Sequence, residues 1–190
     1  EDMPRYVSLI ASFSTFAVGF LARPVGGVVF GHFGDRVGRK AALVTALMMM
    51  GVATTLIGLL PSYEQVGPLA PLLLIFLRFV QGLAVGGQWG GAMLLVTENA
   101  PSNQRGFYGA FAQVGAPAGL VLANLAFLAV SGNLSDEAFM DWGWRVPFIS
   151  SVLLIGLSLY VQLKLEDTEA FKELAEAASP AETKPRSPVV

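Results

Sequence analysis

Two arginines stand where a guanidinium is costly and therefore informative. Arg23 and Arg78 each lie inside a long run of apolar residues, and an ionisable group at membrane depth is a functional hypothesis by default. Arg78 also heads a stripe. At about 100° per residue, Arg78, Gln81, Gly82, Trp89 and Ala92 fall on one side of a helix otherwise built of Leu, Val, Ile and Phe, with Gln88 at its margin. A guanidinium fork matches a carboxylate bidentately, and the two amides add donors and acceptors. The stripe therefore reads as lining a cavity, with Arg78 anchoring an anionic or zwitterionic small molecule and Gln81, Gln88 and Trp89 beside it. Alternatively, Arg78 pairs with a carboxylate on a helix outside this sequence. Arg23, which precedes Pro24, either snorkels to the inner interface or lines the cavity from that side.

Other chemistry is sparse. With no cysteine and a single histidine, His32, the chain lacks a thiol nucleophile, a disulfide framework and the usual ligands of a metal site. Every Asp and Glu lies near the end of an apolar run or between runs, so a membrane enzyme would find no carboxylate pair at depth. The expectation is no enzyme, no metal and no cofactor. A net charge of −2 without a basic stripe leaves no footprint for nucleic acid.

The elements that position these residues follow from composition. Of 190 residues, 54% are hydrophobic and only 14% charged, against about 25% charged in soluble domains; the mean hydropathy is +0.59. Runs of about 20 apolar residues, enough to cross some 30 Å of hydrocarbon as helix, occur at residues 7–30, 41–60, 69–96, 107–130 and 146–165. The spacing predicts an all-α, polytopic membrane bundle of five spans over residues 1–165. The tail, residues 166–190, starts as a polar helix and turns Pro-rich and charged, which reads as a cytoplasmic linker.

Positive residues near span ends are retained in the cytoplasm. Arg36, Arg39 and Lys40 lie in the first connector, Arg105 in the third, and Lys164, Lys172, Lys184 and Arg186 after the last span, whereas the other side has only Arg5 and Arg145. The N-terminus is thus expected outside and the C-terminus inside, in a multi-pass protein of the cell membrane.

The first connector, "GHFGDRVGRK" at residues 31–40, fits the pattern G-x-x-x-D-R/K-x-G-R-R/K. With "FLARPVGG" before it, "RFVQGLAVGGQWGGA" in the third span, "ENAPSNQRG" after that and "WGWRVPF" opening the last, the chain resembles the metabolite:H+ symporter family of major facilitator superfamily transporters. On that resemblance the five spans correspond to helices two through six, so the first helix and the C-terminal half are missing partners. The implied function is proton-coupled symport of a small organic acid or zwitterionic metabolite by alternating access. The alternatives are a facilitator or sugar-porter-like carrier without proton coupling, or a structural assembly subunit. The proton as coupling ion comes from the resemblance alone, and members often carry Glu where Gln88 stands.

The charged connector has a physical reading of its own. Gly31, Gly34 and Gly38 are expected to permit a tight turn, with Asp35, Arg36, Arg39 and Lys40 at the helix ends beside it. Asp35 is expected to pair with Arg105, and Glu98 with Arg36 or Arg39. The resemblance makes this network an inner latch that holds one state of a two-state carrier; the simpler reading is that the cations only set topology. Glycine pairs at small-x-x-x-small spacing, Gly27/Gly31, Gly82/Gly86, Gly86/Gly90, Gly87/Gly91 and Gly115/Gly119, mark candidate sites of close helix packing.

Overall fold

The computed structural model describes residues 5–164; the expected cytoplasmic linker, residues 166–190, lies outside them. Helix α1 (Arg5–Val37) is followed by α2 (Arg39–Gly58), a short α3 (Tyr63–Val66), α4 (Leu69–Asn99) and α5 (Arg105–Asn133). The last stretch is interrupted: α6 (Asp136–Ala138), a π turn (Phe139–Gly143), α7 (Arg145–Ile149) and α8 (Val152–Lys164). Among the described residues, five helical stretches are long and apolar enough to cross a membrane, in the order and close to the positions that the apolar runs predict.

Two boundaries differ from expectation. Helix α1 continues through Gly31 and Gly34 to Val37, so "GHFGD" is not a turn, and the reversal is made at Gly38 alone. Gly38 has φ 118°, a region closed to residues with a Cβ; one residue therefore suffices where a loop was expected. The connector before the last span also shrinks, because Ser135 caps a new helix by accepting a hydrogen bond from the Ala138 N–H.

Side chains are distributed for a hydrocarbon solvent. Among the described residues the buried core is largely alanine, including Ala22, Ala42, Ala46, Ala53 and Ala84, each at most 3% exposed, while Phe13, Leu21 and Leu153 are 70–77% exposed. Lipid tails are as apolar as Leu, so nothing drives large aliphatic groups inward; small residues that let backbones meet take their place.

The closest meeting is between α1 and α4. A Cβ at Gly82 would fall on the carbonyl oxygen of Gly19, one at Gly86 on that of Arg23, and one at Gly26 on that of Leu83. Of the glycine pairs singled out by spacing, Gly82/Gly86 is the one in which both members meet a neighbouring helix this closely; Gly31, Gly90, Gly115 and Gly119 have nothing within 4 Å. On a neighbouring side α4 packs against α2, through Ala53, Ile57 and Leu77. Helix α2 in turn packs on α7 and α8, where Gly58 admits Phe148 and Gly51 admits Ile155. The π turn and its flanks bring Trp144 edge-on to Phe148 and let Arg145 donate from Nη2 to the Leu60 carbonyl at 3.3 Å, beyond the C-terminus of α2. Helix α5 touches α4 and α7 only lightly.

Glycine at 82 and 86 is thus a packing requirement, and a methyl there must push two backbones apart. In thermal unfolding of the detergent-purified chain, Gly82→Ala and Gly86→Ala should each destabilise by about 1–3 kcal/mol, the usual cost of overpacking. Gly119→Ala should be neutral or slightly stabilising through helix propensity. Equal behaviour of all three would contradict the α1–α4 contact.

Candidate functional site

The α1–α4 contact and the α2–α4 contact lie on neighbouring sides of α4, and Arg78 sits between them. Its Nη1 donates to Gln81 Oε1 at 3.1 Å, one turn along the same helix. Gln81, 7% exposed, donates from Nε2 to Thr54 Oγ1 on α2 at 2.6 Å. The Thr54 hydroxyl proton is already used, on the Met50 carbonyl at 2.7 Å. The guanidinium carbon of Arg78 lies 4.7 Å from the centre of the Phe16 ring on α1, within cation–π range. Its Nε is buried and makes no hydrogen bond. Three helices therefore converge on one cation, which is half-buried and carries spare donor capacity.

This arrangement divides the expected stripe. Gln81 turns toward α2, Gly82 is consumed by the contact with α1, and Trp89 is 63% exposed. The stripe spans about 100° of arc between Gln81 and Gly82, enough for two different neighbours, which a single-face reading overlooks. Gln88 is half-buried and makes no hydrogen bond among the described residues. It and Trp89 lie seven and eight residues beyond Gln81, about 10–12 Å along the axis, so they do not join the Arg78 cluster. Nor does Arg23: its side chain is exposed and stacks on Phe20, 3.9 Å from the ring centre, while its carbonyl faces Gly86.

Thr54 is the residue that sequence reasoning missed. Several threonines on α2 bond back to their own helix, Thr45 to Ala41 and Thr55 to Gly51 as well as Thr54 to Met50, so a hydroxyl in this span is no signal in itself. The one usable cue is register: Thr54 follows Ala53 and precedes Ile57, both buried toward α4.

At the other end of the bundle, the charged residues are rearranged relative to expectation. Asp35 Oδ1 pairs with Arg39 Nη1 at 2.9 Å, four residues apart across the Gly38 break. Among the described residues no ion pair joins Asp35 to Arg105 or Glu98 to Arg36 or Arg39. The reason is the extension of α1: it places Asp35 in the last helical turn, one turn from Arg39 at the start of α2, so the nearest cation is a local one. Arg36 in that same last turn is exposed, where a cation suits the negative end of the helix. Arg105 opens α5 and is exposed. Lys40 and His32 have partners of their own. Glu98, near the C-terminal end of α4, is half-buried with Oε2 buried and unpartnered among the described residues, so this carboxylate has acceptor capacity unused.

The family described as "Sugar (and other) transporter" matches residues 4–184. An inner membrane metabolite transport protein of Escherichia coli, YhjE, is 56% identical over 88% of this chain and 38% of its own length. The shikimate transporter of Escherichia coli is 48% identical over 95% of this chain and 41% of its own. Among solved structures, the proton:xylose symporter XylE bound to 6-bromo-6-deoxy-D-glucose superposes with a TM-score of 0.80 at 16% identity, over 90% of this chain and 38% of that one. The chain spans about two fifths of the length of the curated relatives it matches.

Proposed function

This chain belongs to the sugar (and other) transporter family of the major facilitator superfamily, and on that premise we propose that it supplies five membrane helices of a proton-coupled carrier for a small carboxylate-bearing metabolite. The observation that carries the reading is Arg78, a guanidinium held half-buried where three apolar helices meet, with one nitrogen fixed by Gln81 and another unpartnered. A cation kept there at such cost fits recognition of a negative charge, and a carboxylate is the planar partner that its fork matches. Shikimate, which one relative is named for transporting, is such an acid. Gln88, Trp89 and Arg23, farther toward the cytoplasmic end, would line the path between the anchor and the inner side.

Substrates of this fold bind near the membrane midplane between two halves, so the remaining helices of the intact carrier complete the site. The described chain has no carboxylate at membrane depth, so a group elsewhere in the carrier takes up the proton. Among the described residues no group of His, Asp and Glu is placed to hold a metal ion. Asp35, Arg36, Arg39, Lys40, Glu98 and Arg105 gather at one end, and we assign them to an inner latch, with the Asp35–Arg39 pair as its standing part. An exposed pair contributes about 0–1 kcal/mol, so it takes a network of such pairs to bias two states separated by a few kcal/mol.

The test is uptake of labelled shikimate and glycine betaine by vesicles bearing the intact carrier, with and without an imposed pH gradient. Saturable uptake stimulated by the gradient is expected for at least one of them. Arg78→Lys, which keeps the charge and loses the fork, should raise the apparent KM about ten- to hundredfold. Asp35→Asn should lower the rate without loss of membrane insertion. Uptake indifferent to the gradient would favour a facilitator, and a wild-type rate in Asp35→Asn would leave the connector as a topology signal only.

Orientation is proposed as N-terminus outside and C-terminus inside, from the distribution of Lys and Arg. Because the chain has no native cysteine, single cysteines report cleanly. In intact cells an impermeant maleimide should label cysteine substituted for Ser62 or Ser135 and spare one at Ser102. The reverse pattern would invert the topology.

A further inference from the structure

The hydrogen bonds around Arg78 run in one direction only. The Thr54 hydroxyl spends its single proton on the Met50 carbonyl, so toward Gln81 its oxygen can only accept. Gln81 must then present its NH2 to Thr54 and its carbonyl to Arg78, which is the orientation observed. Were the amide reversed, two donors would face each other at Arg78 and two acceptors at Thr54. A backbone carbonyl on α2 thus dictates which way a side chain on α4 points, and that side chain holds one end of the guanidinium. The ring of Phe16, from α1, lies beside the guanidinium.

We infer that Thr54 is a positioning residue for the substrate's carboxylate, acting through Gln81 on Arg78. The inference rests on the reading of Arg78 as the anion anchor. An arginine side chain has four rotatable bonds, and a bidentate contact needs its plane held in one orientation; fixing it before the substrate arrives removes that ordering cost from binding. Thr54 bonds to Gln81 and to its own helix and makes no hydrogen bond to Arg78 itself, so it acts on the guanidinium through the Gln81 amide. Gln81 reaches both partners at once, and the shorter Asn would not.

The experiment uses the purified intact carrier and equilibrium binding, with labelled shikimate or glycine betaine, whichever it transports, as the probe. Thr54→Val keeps the shape and removes the acceptor; it should raise the apparent Kd about two- to tenfold, the loss expected from one hydrogen bond. In transport it should raise KM by a similar factor with little change in maximal rate. Thr54→Ala, which cannot overpack the site, should reproduce the loss, and Thr54→Ser, which retains the hydroxyl, should restore wild-type affinity. In an Arg78→Lys background, where no planar fork remains to be oriented, Thr54→Val should have no further effect.

Wild-type affinity in both Thr54→Val and Thr54→Ala would overturn the inference. So would equal impairment of Thr54→Ser, or a Thr54→Val loss that adds in full to that of Arg78→Lys. If Arg78→Lys itself binds the probe with unchanged affinity, the anchor reading fails first, an outcome separable from the others because it does not involve Thr54.

Discussion

Backbone contact between α1 and α4 is the constraint on which the rest of the structure depends. Gly82 and Gly86 let the carbonyls of Gly19 and Arg23 approach where any side chain would hold them off. In hydrocarbon this is a principal way to join helices, since burying large aliphatic groups gains little against lipid tails. Once the two helices meet this closely, the rotation of α4 is set. Gly82 must face α1, Gln81 is turned toward α2, and Arg78 falls in the crevice between them beside Phe16. The polar cluster therefore follows from the packing of residues that have no side chains at all.

The cluster also shows how a bundle of this composition can hold a cation without an ion pair. Arg78 shares its charge with a neutral amide and an aromatic face. Each is a weaker partner than a carboxylate, so the guanidinium is oriented while donors remain available. Had Gln81 been Glu, the site would be neutralised from within. Thr54 stabilises the amide in the one orientation that leaves Arg78 bonded to a carbonyl.

Much of the fold was legible in the sequence, because hydrocarbon thickness imposes a length on every span and leaves little freedom in how apolar residues are arranged. The five spans could be read in that way, and so could the polar side of α4 that carries Arg78 and Gln81. What could not be read depends on register between helices. The face of Arg78, Gln81, Gly82, Trp89 and Ala92 looked continuous, yet two helices divide it and leave Trp89 exposed. Thr54 is indistinguishable from Thr55 until α2 is placed against α4. The charged connector misled for a different reason. Three glycines suggested a turn, but helix persists through two of them because nothing opposes it, and Gly38 alone carries the reversal. That extension replaced the expected contacts of Asp35 with the nearer Arg39.

The account turns on whether Arg78 meets the substrate or another part of the carrier. The spare donor capacity of its guanidinium would suit either, and the two differ in where a carboxylate is found. The most direct measurement is a structure of the intact carrier with a transported carboxylate, shikimate or glycine betaine, bound. The account predicts that carboxylate within hydrogen-bonding distance of the Arg78 guanidinium, about 2.7–3.2 Å, with Gln81 still joined to Thr54. A structure in which Arg78 is paired to an Asp or Glu of another helix, and the substrate lies elsewhere, would contradict it.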